Sequence, residues 1–147
     1  MTARREDRGA PANRSGKGTP LTGIDPTQDG TAGLREDPIA GVDRDSGTTV
    51  VRLAGELDLY NAPAVREVLL GCCAESPERL IVDLSDVKFI DSTALGVLIE
   101  ARTRMSNRRG FLLAAPGLET RRALEISGLD RHFAVHESLD GARTATV

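Results

Sequence analysis

A short, almost wholly apolar run in the middle of the chain, Leu80–Leu84, places the strongest constraint on the fold. Its sequence, LIVDL, has a single polar side chain, so the run lacks the alternation of a strand with one face in water. Such runs are typical of a central strand of a largely parallel sheet. We therefore expect a strand here that is covered on both faces.

Strand and helix patterns alternate around this run. Ile39–Val42 and Val50–Leu57 flank a turn-like segment at residues 43–47 and predict an antiparallel hairpin. Single helical segments separate the later strands, which must then run parallel. The order β β α β α β α β α predicts an α/β fold, a mixed β-sheet with an antiparallel N-terminal hairpin and then parallel strands, packed with about four α-helices. The later segments are a helix opening near Asn61 and Pro63, the strand Leu80–Leu84, a helix from about Ser92, the strand Phe111–Ala115, a helix from Leu118 to Gly128, the strand Phe133–Val135 and a helix capped by Ser138.

The first 38 residues differ in composition from the rest. They contain six Gly and four Pro, no aromatic residue, and basic and acidic side chains that cancel. Such a segment buries too little apolar surface to offset about 1–2 kcal/mol of backbone entropy per ordered residue. The sequence predicts a disordered N-terminal tail at residues 1–38 and one domain at residues 39–147.

Overall composition argues against several classes of function. The formal net charge is −3, so no basic excess exists to bind a phosphate backbone, and we expect no direct nucleic-acid partner. No apolar run is long enough to span a membrane, and the first residues lack the apolar core of a signal peptide, so a cytoplasmic protein is expected. The adjacent Cys72 and Cys73 fit neither a disulfide framework nor a zinc site and are interpreted as small core residues. We expect no metal and no cofactor.

A cluster of basic residues lies toward the end of the helix predicted from Ser92. Its members are Arg102, Arg104, Arg108 and Arg109, which precede Gly110. Basic residues in a last helical turn complement the helix dipole, and a glycine beyond them is a common stop signal. We interpret the cluster as the solvated end of a helix.

The run VKFIDSTALGVL, residues 87–98, places an acid and two hydroxyls between apolar residues. Asp91 or Ser92 is expected to cap the helix that follows, but a cap needs one side chain, so the surplus predicts an exposed hydroxyl. A phosphate on Ser92 would lie at the positive end of the helix dipole and add about −1.5 to −2 charges beside Asp91. A partner that docks there would then be repelled.

Three segments together resemble a known family. They are Gly55–Asp58 (GELD), residues 81–98 (IVDLSDVKFIDSTALGVL) and Ser127–Leu129 (SGL). They resemble the signatures of the STAS domain, specifically those of the stand-alone bacterial anti-sigma factor antagonists, and the resemblance spans about residues 39–147. Ala94 departs from the glycine that many relatives have, which stiffens the first helical turn, since Ala is favoured over Gly in helices by about 1 kcal/mol.

The resemblance implies a protein-binding switch in transcription regulation. Family members bind an anti-sigma factor with a GHKL-type serine kinase fold and so release a sigma factor. The kinase phosphorylates the serine after the motif's aspartate, here Ser92, which abolishes binding, and a PP2C-type phosphatase restores it. Asp58, Asp91, Ser92 and Thr93 are then the partner-binding residues.

Three alternatives stay open at this point. Thr93 is a second candidate phosphate acceptor if Ser92 points into the cap. The second alternative is that the domain is a STAS module of another assembly, such as a transport accessory, a stress-signalling scaffold or a nucleotide-sensing module. Catalysis with Ser92 as nucleophile is the third, although the sequence has no Gly-x-Ser-x-Gly elbow and offers only His132 and His136 as bases.

The composition of residues 1–38 generates a first prediction. Deleting them should leave the melting temperature of the protein nearly unchanged, because the segment has few large apolar side chains to bury. Thermal unfolding of the full-length and shortened proteins, followed by circular dichroism, checks this. A large drop in melting temperature would mean that the tail packs on the domain.

Overall fold

The computed structural model describes residues 36–147, so the tail predicted at residues 1–38 stays a prediction. The described part contains five β-strands and four α-helices. Two short 3₁₀ turns, Arg108–Gly110 and Leu129–Arg131, complete it. The elements in chain order are β1 Ile39–Asp45, β2 Thr48–Leu57, α1 Ala62–Ala74, β3 Arg79–Ile90, α2 Ser92–Arg104, β4 Phe111–Ala114, α3 Leu118–Ser127, β5 Ala134–His136 and α4 Leu139–Thr144.

The five strands form one mixed sheet in the order β1-β2-β3-β4-β5. β1 pairs with β2 in antiparallel orientation, and β2, β3, β4 and β5 are parallel neighbours. This confirms the predicted fold class. Because β2 and β3 are parallel neighbours, they end side by side, and the start of α2 lies beside the end of β2.

Both faces of β3 are covered, as its apolar run predicts. Leu80, Val82 and Leu84 belong to the larger core cluster, which also contains buried side chains of α1, α2 and α3. Ile81 belongs to a smaller cluster on the opposite face, with Ala142 of α4. Alternate side chains of one strand thus enter two different cores.

β3 is longer than predicted, because it continues from Leu84 to Ile90 through the segment expected to be a connection. Its register with β2 shifts twice, and each time β3 contributes an extra residue; Gly55 pairs with Val87, but the next residue, Glu56, pairs with Phe89. Such β-bulges disturb the alternation of buried and exposed residues. Gly55 adopts a φ of +78°, which side-chain-bearing residues rarely accept, so the second bulge depends on this glycine.

Two predictions about helices also need correction. α2 ends at Arg104 and not at Gly110, because Met105 takes an extended backbone and buries its side chain. Arg104 pairs with Glu100 one turn earlier. In α3 the predicted apolar residues do not all face the core, since Leu124 is buried whereas Ile126 is 87% exposed.

α1 buries one stripe of side chains, which includes the two cysteines predicted to be core residues. Val65, Leu69, Cys72 and Cys73 are buried, and the Cys73 thiol donates a hydrogen bond to the carbonyl of Ala101 in α2. Burial raises the pKa of both thiols above the ordinary value. Both cysteines are therefore packed as neutral core side chains, and neither forms a disulfide.

Gly110, at the entrance to β4, generates a stability prediction. A Cβ atom placed on it would lie well inside van der Waals contact with the carbonyl oxygen of Glu78, a backbone atom that cannot easily move away. We expect Gly110→Ala to lower the free energy of unfolding by about 1–3 kcal/mol, measured by urea denaturation.

Gly71 in α1 provides the matched control. No atom of the described residues lies within 4 Å of a Cβ atom built there, so Gly71→Ala should raise the free energy of unfolding by roughly 0.5–1 kcal/mol through helix propensity alone. A Gly110→Ala protein as stable as the wild type would contradict the close approach of these two segments.

Candidate functional site at the start of helix α2

The carboxylate of Asp91 joins the start of α2 to the loop that follows β2. One oxygen, Oδ1, accepts a hydrogen bond from the Ala94 amide at 3.0 Å and so caps the helix. The other, Oδ2, accepts from the Leu59 amide at 3.1 Å. The backbone of Asp91 adds a third connection, because its N–H donates to the carbonyl of Leu57 at 3.0 Å. Of the two cap candidates, Asp91 is therefore the residue that caps α2.

The loop after β2 is held in shape by Asp58 and Asn61. The Asp58 carboxylate accepts from the Tyr60 amide at 3.0 Å, and the Asn61 side chain accepts from the Asp58 amide at 2.9 Å. The Asn61 amide group also donates to the carbonyl of Glu56 at 2.8 Å. These side chains form hydrogen bonds with backbone groups that a turn would otherwise leave unpaired, so the loop has a defined conformation.

Ser92 and Thr93 occupy the first two positions of α2, and both side chains are exposed. The first backbone N–H groups of a helix have no partner within it. In the described part of the chain, the Asp91 carboxylate accepts a hydrogen bond from the Ala94 amide, and no hydrogen bond is found for the amides of Ser92 and Thr93. Two exposed hydroxyls and two backbone donors are therefore presented together.

Exposed apolar side chains lie at the same end of the sheet. Leu59 and Tyr60, which follow β2, are 60% and 80% exposed, and Phe89 near the end of β3 is 50% exposed. The start of α3 approaches β3 at Val87, and there Leu118 is 63% exposed. We call these four residues, Leu59, Tyr60, Phe89 and Leu118, the apolar rim. Aromatic and aliphatic groups near a polar centre are typical of protein–protein docking surfaces.

An ion pair links the outer faces of α1 and α2. Arg66 makes two hydrogen bonds of 2.7 Å to the carboxylate of Glu100. These bonds, with the nearby charge, hold the pKa of Glu100 below its ordinary value. Both side chains are partly exposed to water, so the pair orients the two helices more than it stabilises them.

The four predicted partner-binding residues fall in one place. Asp58 begins the loop after β2, and Asp91 binds the same loop through the Leu59 amide. Ser92 and Thr93 directly follow Asp91 in the chain. Asp58 and Asp91 are partly buried, which suits an architectural role, whereas the two hydroxyl residues are exposed.

The apolar rim was not predicted from the sequence. One signal for it exists in Tyr60, the only tyrosine of the chain, which stands in a turn where no core position is available. Phe89 gives no such signal, because Val87, Lys88 and Phe89 alternate in sequence like an ordinary strand, and Phe89 is exposed only because the bulge interrupts that alternation. An aromatic residue at a position that cannot face the core is typical of an interaction surface.

The part of the chain that the structure describes contains no recognisable metal site and no helix able to cross a membrane. No three His, Cys, Asp or Glu side chains of residues 36–147 come close enough together to hold a metal ion. Within the same range, no helix combines the length and apolar character needed to cross a bilayer.

Comparison with known proteins agrees with this geometry. The family model described as the STAS domain matches residues 40–142, and the chain belongs to that family. It is 33% identical over 102 residues to the anti-sigma-F factor antagonist RsfB of Mycobacterium tuberculosis, an alignment that covers 67% of this chain and 84% of the relative.

Two solved structures show the same fold. A crystal structure of an anti-sigma factor antagonist from Mycobacterium paratuberculosis has 36% sequence identity and a TM-score of 0.67, over 71% of this chain and 89% of that one. The anti-sigma factor antagonist SpoIIAA in its unphosphorylated form has a TM-score of 0.59 at 21% identity, over 73% of this chain and 98% of that one. The second likeness concerns the fold alone.

Proposed function

We propose that this protein is an anti-sigma factor antagonist that binds an anti-sigma factor through the start of α2, and that phosphorylation of Ser92 abolishes the binding. The observation that carries the proposal is the exposed Ser92 hydroxyl at the first turn of α2, beside the apolar rim. The relatives' names support the general role.

The apolar rim supplies the contact area. Its four side chains are half exposed or more, so a partner that covers them removes apolar surface from water, which stabilises a complex by about 25 cal/mol per Å² of buried apolar area before the costs of association. Tyr60 also presents a hydroxyl group, and tyrosines are common among the residues that dominate binding energy.

The phosphate would act through charge. A phosphoserine at position 92 adds about −1.5 to −2 charges directly next to the Asp91 carboxylate. Because Asp91 already accepts from the Ala94 amide, the helix cap survives the modification. The amides of Ser92 and Thr93, which have no acceptor among residues 36–147, favour an anion. The fold is kept, and the docking surface becomes strongly negative.

The expected partners follow from the family resemblance and belong to this proposal. They are an anti-sigma factor with a GHKL-type serine kinase fold, which both binds and phosphorylates the protein, and a PP2C-type phosphatase, which reverses the modification. The protein then acts in the cytoplasm, where sigma factors and RNA polymerase are found.

A binding role accounts for the site better than nucleophilic catalysis does. His132 and His136 lie before and within β5, two strands away from β3 in the sheet. In the described residues neither imidazole has a hydrogen bond with Ser92, whereas an activated serine needs a base within hydrogen-bonding distance.

Substitution of Ser92 tests the switch. Wild-type, Ser92→Ala and Ser92→Asp proteins serve as baits in a lysate of the native host, and the captured anti-sigma factor is identified by mass spectrometry, purified and titrated by calorimetry. We expect Ser92→Ala to bind like the wild type and Ser92→Asp to bind roughly tenfold more weakly or worse, a difference of about 1.4 kcal/mol. Equal affinities of Ser92→Asp and the wild type would contradict the proposal.

Thr93 provides the control for the phosphorylated residue. Intact-mass measurement after incubation with the captured kinase and ATP should show one added phosphate on Thr93→Ala and none on Ser92→Ala. The opposite result would move the switch to Thr93, one position along the same helix.

Gly96 tests where the partner lies. It is exposed on α2 one turn after Ser92, and within residues 36–147 no atom comes within 4 Å of a Cβ atom built there. We expect Gly96→Gln to bind the anti-sigma factor about tenfold more weakly, because the added side chain projects into the docking surface. Calorimetric titration measures this.

Gly71→Gln is the matched control. Gly71 is also an exposed helical glycine with open space around it, but it lies near the far end of α1. Both substitutions replace glycine by a better helix former, so neither should lower the melting temperature. Unchanged binding by Gly96→Gln, or an equal loss with Gly71→Gln, would show that the partner does not cover this part of α2.

A further inference from the structure

A second concave surface lies far from Ser92, at the edge of the sheet beside β5. Its cavity of about 490 Å³ is bounded by the end of α2, the two 3₁₀ turns, the starts of β4 and β5, and the residues after α4. The volume is within the range of small-molecule sites, about 300–1,000 Å³. We call it the arginine pocket, after Arg102, Arg108, Arg109 and Arg131, which line it.

The arginine pocket is strongly positive. Its four guanidinium groups come from three separate segments, and no carboxylate side chain of the described chain lines it. The other arginines near α2 and α3 differ in this respect, since Arg66, Arg104 and Arg122 each pair with a glutamate. The arginines of the pocket have no ion pair within residues 36–147, so their charges are available to a ligand.

An aromatic floor lies beneath these charges. Phe111 and Phe133 are buried and pack together with ring centroids 5.9 Å apart. The exposed His132 ring meets Phe133 edge to face at 5.3 Å. An apolar floor lowers the local dielectric constant and strengthens the attraction between the guanidinium groups and an anion.

We propose that the arginine pocket binds a small anion that carries a diphosphate group. Guanidinium groups bind phosphate oxygens in a bidentate manner, and phosphate suits their planar fork. Arg108 and Arg109 are neighbours on one turn, whereas Arg102 and Arg131 approach from α2 and from the turn before β5. Four cations spread over a cavity of this size match two linked phosphates better than a single one.

This site is separate from the proposed partner surface. Arg102 is ten residues beyond Ser92 on α2, which corresponds to about 15 Å along the helix axis. Diphosphate binding therefore does not depend on the proposed function, and its test needs no partner protein.

The experiment is a titration of the full-length protein with sodium pyrophosphate at low ionic strength, followed by calorimetry and by amide chemical shifts. We expect saturable binding that weakens as salt is added, with shifts concentrated at residues 108–112 and 131–136. Arg109→Ala and Arg131→Ala should each lower the affinity about tenfold, since each removes charge-assisted hydrogen bonds to phosphate. All of these side chains are exposed, so circular dichroism should show unchanged folding.

Arg122→Ala is the control for net charge. It removes one exposed arginine of α3, outside the pocket, and should leave the affinity within about twofold of the wild type because distant surface charges are screened. An equal loss in Arg122→Ala and Arg109→Ala, or an absence of saturable binding by the wild type, would overturn the proposal. Citrate binding as tightly as pyrophosphate would also overturn it, because the pocket would then select charge and not phosphate.

Titration with a nucleoside diphosphate distinguishes two kinds of ligand, a free diphosphate and a diphosphate attached to a nucleoside. Affinity equal to that of pyrophosphate means that the phosphates alone are recognised, and the proposal stands for a free diphosphate. Much tighter binding means that the base also contacts the pocket, and loss of that gain in His132→Ala would assign the contact to the exposed imidazole. Both results support a diphosphate site.

Discussion

The two oxygens of the Asp91 carboxylate hold this end of the molecule together. One caps α2, and the other fixes the loop after β2 through the Leu59 amide. A serine or threonine cap has one side-chain oxygen and would leave one of these amides without its partner. Asp91 therefore decides two things at once, the start of α2 and the place of Leu59 and Tyr60 relative to Ser92.

The sequence predicted the order of the elements well, because burial in this fold follows simple periods. The run at Leu80–Leu84 is almost wholly apolar, the helical spacing from Val65 to Cys73 has one consistent period, and both are buried as expected. Prediction failed where two periods mix. From Leu84 to Ile90 the buried residues recur every third position, because two β-bulges interrupt β3, and this spacing matches neither the period of 2 of a strand nor the period of 3.6 of an α-helix.

The hydroxyls of the candidate site were predictable, but its surroundings were not. When three polar residues stand at a helix start, one side chain can cap the helix and the others are expected to be exposed. Ser92 and Thr93 are indeed exposed. The apolar rim depends instead on which side chains the bulges and the Asp58–Asn61 turn direct outward. The arginine pocket was hidden for a similar reason, since Arg131 joins the cluster near Arg108 only when β4 and β5 pair.

If Ser92 is phosphorylated as proposed, the geometry favours a change of surface charge over a change of conformation. A phosphate on Ser92 would compete with Asp91 for the helix start only if it had to take the Ala94 amide, but the amides of Ser92 and Thr93 have no other partner in the described chain. The loop after β2 is also held independently, by Asp58 and Asn61. Since both anchors would survive the modification, the surface would keep its shape while its charge changed. The proposed switch would then be reversible without refolding, because removal of the phosphate would restore the same surface.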